Sequence, residues 1–211
     1  MAKDAPIALR PAVESDSWIY ASFVNTAADG MFATMFGSRW QSVVAELSTQ
    51  PDHAMSLEHA RVLDRNGEVL GMAAAMTGLE ARKGFDSLLW PAAGWRAIRA
   101  AAMSLALRPM FRFLDVHDDD EFYLLALAVV PEERGQGLGT RLLDDVTSRA
   151  IEAKSNKLAL HVDTNNPDAQ RLYSRYGFQQ ESVSPPALLV GGDQVERWVK
   201  PVSGDADVAN V

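Results

Sequence analysis

The chain has 211 residues, a formal net charge of −8 and no cysteine. Its 47% hydrophobic and 23% charged content suits an ordinary soluble globular domain with a full core. The missing cysteine excludes a disulfide framework, a thiolate metal site and a cysteine nucleophile, and the acidity argues against nucleic acid as a partner.

Residues 1–6 carry no apolar signal core, and no apolar run reaches the ~18 residues of a membrane span. A cytoplasmic protein with no membrane partner is expected. Residues 7–10 predict a short strand ending at Pro11. A helix follows over 14–28, with Ser15 or Asp16 as its cap, and a second over 37–49, stopped by Pro51. Residues 58–64 and 68–76 alternate around Arg65, Asn66 and Gly67, a hairpin-turn signal. Residues 80–117 read as helical, broken by Pro91 and Pro109. A strand over 122–130 runs into a glycine-rich turn and a helix over 138–153. A strand over 157–162, a helix over 167–176 and a strand over 178–183 complete the pattern, closed by Ser184, Pro185 and Pro186. Residues 188–190 and 195–199 read as a pair across Gly191, Gly192 and Asp193, and 202–211 as a frayed tail.

The turn after the 122–130 strand reads Arg134, Gly135, Gln136, Gly137, Leu138, Gly139, Thr140. Such a turn aims backbone N–H groups at one point, with the positive end of a helix behind them. That is an anion site suited to a pyrophosphate. A P-loop is excluded because no lysine follows the glycines, and a dinucleotide fingerprint is broken by Thr140 at its third glycine. What remains is R-x-x-G-x-G, carried by Arg134, Gly137 and Gly139. Downstream lies N-x-x-A-x-x-L-Y-x-x-x-G-F, carried by Asn166, Ala169, Leu172, Tyr173, Gly177 and Phe178. Asn165 or Asn166 caps this helix, Pro167 suits its first turn, and Gly177 ends it. Ala169, Leu172, Tyr173 and Tyr176 share one apolar face.

The two motifs, in this order, resemble the GNAT N-acetyltransferase family, closely over residues 121–182 and only topologically over 5–78. The resemblance implies an α/β (α+β) fold with a mixed, mostly antiparallel sheet of six to seven strands flanked by helices. It implies one domain over 1–201, a helical insertion over 79–117 between the third and fourth strands, and a disordered tail over 202–211. It also implies acetyl-CoA as co-substrate and direct acetyl transfer to a primary amine. The pyrophosphate would lie on Arg134, Gly135, Gln136, Gly137, Leu138, Gly139 and Thr140. The pantetheine arm would run along the backbone of Leu127, Val129 and Val130, with Asn166 nearby. Family members carry a bulge in this strand that turns an N–H to the thioester oxygen; no residue here marks one. Tyr173 matches the tyrosine that protonates the departing thiolate.

Glu121 opens the central strand and is the candidate general base, with Glu80 and His117 as rivals. His161 reads as packed or paired within a strand, and His53 and His59 have no supporting context. No His, Asp or Glu set has metal-ligand spacing, so no metal is expected.

Between Asp86 and Asp115 there is no acid, but Arg96, Arg99, Arg108 and Arg112 occur among tryptophans and other apolar residues. This segment reads as a packed helical pair with outward arginines, as an acceptor lid, or as a homodimer surface. Met31, Phe32, Met35, Phe36 and Trp40 read as core or as an acceptor wall. The expected acceptor is a small-molecule amine, with a protein or peptide amine as the alternative. A CoA-binding module without transferase activity is the rival of a different class.

Overall fold

Strands β1 (Ala8–Pro11), β2 (Ala60–Arg65), β3 (Glu68–Thr77), β4 (Glu121–Val129), β5 (Lys157–Asp163), β6 (Gln179–Val183) and β7 (Val195–Pro201) form one sheet. The spatial order is β1-β2-β3-β4-β5-β7-β6. The computed structural model describes residues 5–83, 105, 108–186 and 194–202. Every neighbouring pair is antiparallel except β4 with β5. The β2–β3 hairpin closes through Asn66 (φ 54°) and Gly67 (φ 87°), the double left-handed turn that matches strand twist.

The helices are α1 (Ser17–Ala27), α2 (Met31–Phe36), α3 (Trp40–Ser48), α4 (Gly78–Ala81), α5 (Arg108–Leu114), α6 (Leu138–Glu152) and α7 (Pro167–Tyr176). α1, α2 and α3 cover one face of the sheet, where Val62, Met72, Ala126 and Ala128 meet Phe23, Phe36 and Val44. α6 and α7 cover the other, where Leu63, Leu124 and Leu160 meet Leu142, Val146 and Tyr173. Burial on both faces explains why β4 reads as a continuous apolar run, and it makes β3, expected to alternate, buried without a break from Leu70 to Met76. Among the described residues no helix is long and apolar enough to cross a membrane.

One helix departs from the sequence pattern, and two expectations fall largely outside the described residues. The six-residue α2 was not anticipated; it lies between left-handed Gly30 and Gly37, and Asn25 Oδ1 accepts the Ala33 N–H. It carries Phe32, Met35 and Phe36 into the core, so these are core residues, with Met31 and Trp40 packed partly buried against them. β7 pairs with β5 and β6, and residues 188–190 lie outside the described ones. Most of the 79–117 insertion lies outside them too, as does the tail beyond Val202, whose N–H bonds the Asn156 carbonyl at 2.8 Å. At the described end of the insertion, Arg108 and Arg112 are exposed on α5.

Candidate active site

The parallel ladder between β4 and β5 runs from Glu121↔Lys157 to Leu124↔Leu160 and then stops, although both strands continue. β5 stays paired with β7 as far as Asp163. β4 therefore leaves its neighbour and opens a fork. The cause lies on its other edge. Ala74 faces Ala126 and Ala75 faces Leu124, so Leu125 is an extra residue, a bulge that bends the strand. The bulge also resets the alternation. Phe122 and Leu124, then Leu127 and Val129, face α6, while Ala126 and Ala128 face α1.

Beyond the bulge the Val130 N–H bonds the Leu70 carbonyl on β3 at 2.9 Å. Backbone direction alternates along a strand, so Leu127 and Val129 turn their groups toward the fork. The Val130 carbonyl accepts the Glu133 N–H at 3.1 Å. The Val129 carbonyl accepts Arg134 Nε at 3.1 Å, which folds this exposed arginine back along the end of the strand.

β4 leads directly into the turn. Gly135 (φ 78°) and Gly137 (φ 80°) are both left-handed, a conformation that a side chain would strain. The first intrahelical bond of α6 is Arg141 N–H to the Gly137 carbonyl, at 3.0 Å. The N–H groups of Leu138, Gly139 and Thr140 thus stand at the start of a 15-residue helix without intrahelical partners. A Cβ on Gly139 would lie 3.1 Å from the Leu172 side chain, so this glycine lets α7 close onto α6. Tyr176 pins the same contact, donating to Asp144 Oδ1 at 2.8 Å. A strand edge continuous with an anion cradle fits an acyl-CoA, whose arm carries amides and whose tail carries phosphates.

Asn166, not Asn165, caps α7: its Oδ1 accepts the Ala169 N–H at 3.1 Å. Tyr173 is 7% exposed, lies edge-on to Phe178, and shares its cluster with Leu124 and Leu160, the last paired residues before the fork. Burial raises its phenol above the ordinary value, so it keeps its proton at neutral pH.

Glu121 is fully buried. Its Oε1 accepts from His117 Nδ1 at 2.9 Å and its Oε2 accepts from Arg197 Nη2. Burial alone would raise its pKa, but those bonds bring it down to about 2. A carboxylate that stays ionised can only accept, so His117 Nδ1 carries the proton of this bond. Arg197, 4% exposed, also donates through Nε to Glu181 at 2.7 Å. Glu80 is occupied in the capping box of α4, accepting from the N–H (2.9 Å) and hydroxyl (2.7 Å) of the cap residue Thr77. His53 is a core residue bonded to the Leu47 carbonyl and the Met55 N–H.

A pair that sequence reasoning missed stands on the same face as Glu121. The Tyr123 hydroxyl lies 3.0 Å from His161 Nδ1, one residue before the fork on β4 and one after it on β5. Phe113 of α5 packs edge-on against the His161 ring, and the His117 ring lies tilted against Tyr123. His161 Nε2 is buried and without a hydrogen-bond partner. Burial, then the nearby Arg197 and His117, push this imidazole down to about 3. Strand alternation puts Glu121 and Tyr123 on one face; only the tertiary register brings His161 beside them. Among the described residues no group of three or more His, Asp or Glu could hold a metal ion.

The acetyltransferase (GNAT) family model matches residues 27–178. A Bacillus subtilis (strain 168) protein described as a ribosomal protein bS18-alanine N-acetyltransferase is 35% identical over 81 residues, which span 38% of this chain and 54% of that relative. Among solved structures, an N-acetyltransferase of Staphylococcus aureus Mu50 superposes with a TM-score of 0.65 at 20% identity, over 92% of this chain and 100% of that one. The ribosomal-protein-S18-alanine N-acetyltransferase of Escherichia coli superposes with a TM-score of 0.52 at 16% identity, over 95% and 98%. At these identities the structures speak for the fold. The matched span takes in the fork, the turn and Tyr173 together, and the chain belongs to the GNAT acetyltransferase family.

Proposed function

We propose that the chain is an acetyl-CoA-dependent N-acetyltransferase that moves an acetyl group directly from the thioester to an amine. The observation that carries this reading is the fork: β4 parts from β5 after Leu124, and its free edge runs into a turn of convergent N–H groups. Bound acetyl-CoA supplies an acyl group activated as a thioester. Leu127 and Val129 offer backbone groups to its amide-bearing arm. The N–H groups from Gly135 to Thr140 hold the pyrophosphate, and Arg134 adds positive charge at the rim. The bulge at Leu125 frees a backbone donor beside the fork for the thioester oxygen.

The proton donor and acceptor then lie on opposite faces of the sheet. Tyr173, on the α6–α7 face, holds the proton that the departing sulfur takes. Glu121 has each carboxylate oxygen engaged, one by His117 and one by Arg197, so its role is to orient His117 and anchor Arg197. The Tyr123–His161 pair takes the amine proton. The tyrosine oxygen accepts it and passes its own to His161 Nδ1, in the tautomer with Nε2 protonated. The proton leaves after the attack, when the nitrogen bonded to the acyl carbon is more acidic than the free ammonium ion. His161→Gln, which keeps a side-chain amide beside Tyr123, is expected to lower kcat about 100-fold with acetyl-CoA affinity unchanged. Full turnover in steady-state assays of this variant would remove the pair from the mechanism.

The acceptor has two readings. The bS18-alanine N-acetyltransferase relative favours a protein N-terminal amine over the small-molecule amine expected from sequence. Calorimetry with acetyl-CoA and thiol release against small amines and alanine-starting peptides test both. Gly137→Trp should weaken acetyl-CoA binding about 100-fold, the loss of roughly two charge-assisted hydrogen bonds. A wild type that binds acetyl-CoA yet releases no thiol with any amine would favour a CoA-binding module; one that binds none would defeat the reading.

A further inference from the structure

We infer that the buried Arg65–Glu133 ion pair, together with Gln136, is a positioning device that holds the turn in its phosphate-binding shape and cancels a negative charge beside it. This rests on the reading of that turn as the pyrophosphate site. Arg65 ends β2 and is 9% exposed; Glu133 stands two residues before Gly135 and is 6% exposed. The contact is bidentate, Nη1 to Oε1 at 2.7 Å and Nη2 to Oε2 at 3.2 Å, across 68 positions of sequence. Glu133 Oε2 also accepts Gln136 Nε2 at 2.9 Å.

Gln136 lies between the two left-handed glycines, so its backbone N–H belongs to the cradle while its side chain is drawn back to Glu133. One carboxylate therefore links the tip of the β2–β3 hairpin to the middle of the turn. The planar guanidinium fixes that carboxylate in orientation as well as position. A buried ion pair adds little net stability over an apolar pair of similar volume, so stability alone does not account for it. Charge gives a second reason. An uncompensated carboxylate beside the cradle would repel a pyrophosphate, and Arg65 removes that repulsion.

The test compares CoA with pantetheine, which lacks the pyrophosphate, by titration calorimetry on wild type, Arg65→Met and Arg65→Met/Glu133→Met. Arg65→Met is expected to weaken CoA binding by about 10- to 100-fold, from lost positioning and exposed charge together. The double variant removes the repulsion but not the positioning defect, so a loss of about tenfold is expected. Pantetheine affinity should stay within about twofold of wild type in both, because the strand edge is untouched. CoA affinity near the wild-type value in both variants, or pantetheine affinity falling in step with CoA, would overturn the inference. If Arg65→Met does not fold, the double variant decides, since its apolar pair leaves no buried charge. A wild type that binds pantetheine but gains nothing from the pyrophosphate would defeat the reading of the turn itself.

Discussion

Tyr173→Phe is expected to lower kcat by about 100-fold or more, with little change in acetyl-CoA affinity. The ring packs against Phe178 and the fork residues, and phenylalanine keeps that packing. Only the hydroxyl is lost, and with it the proton that burial holds on the oxygen across the neutral range. The thiolate then leaves without one. A donor with a more acidic leaving thiol needs less help, so the gap between variant and wild type should narrow with it. Steady-state kinetics on both donors measure this, and a variant that keeps wild-type kcat would refute the assignment. A general collapse of the site would instead depress both donors equally.

Arg197→Met is expected to destabilise the fold by about 3–5 kcal/mol at neutral pH, because it leaves Glu121 charged, fully buried and short of its cation. The pH dependence follows from the sign of the shift. In the wild type Glu121 titrates at about 2 when folded, against an ordinary value of 4.5. Its contribution is therefore complete above 4.5 and is lost as the pH falls from there toward 2. Without Arg197 the buried carboxyl shifts the other way and is relieved by protonation. The difference between the two proteins should be large at pH ~7 and shrink in acid. Urea unfolding at about pH 7 and pH 3 checks it; equal stabilities at neutral pH would show that the pair carries no such burden.

Much of the proposed cofactor side was legible because it is written in short segments. Left-handed Gly135 and Gly137, the helix start behind them, the Asn166 cap and the Gly177 stop each depend on neighbours within a few positions. The proposed acceptor side was not legible. Glu121 was readable as a carboxylate at a strand start, but whether it takes a proton depends on Arg197, 76 positions away. His161 was readable as a strand residue, but its partner Tyr123 is 38 positions away.

By itself, then, the sequence determined the glycine-rich turn, the tyrosine-bearing helix, the hairpin at Asn66–Gly67 and the apolar runs of the central strands. Backbone conformation and apolar periodicity are local, and they survive translation into three dimensions without knowledge of distant neighbours. The tertiary structure alone decided the bulge at Leu125, the fork after Leu124, the entry of β7 between β5 and β6, and the ion pairs that bind Glu121 and Glu133. Each depends on register between strands or on a charge meeting its partner in a low-dielectric interior. Register and burial come from the packing of the whole chain, so no short segment encodes them.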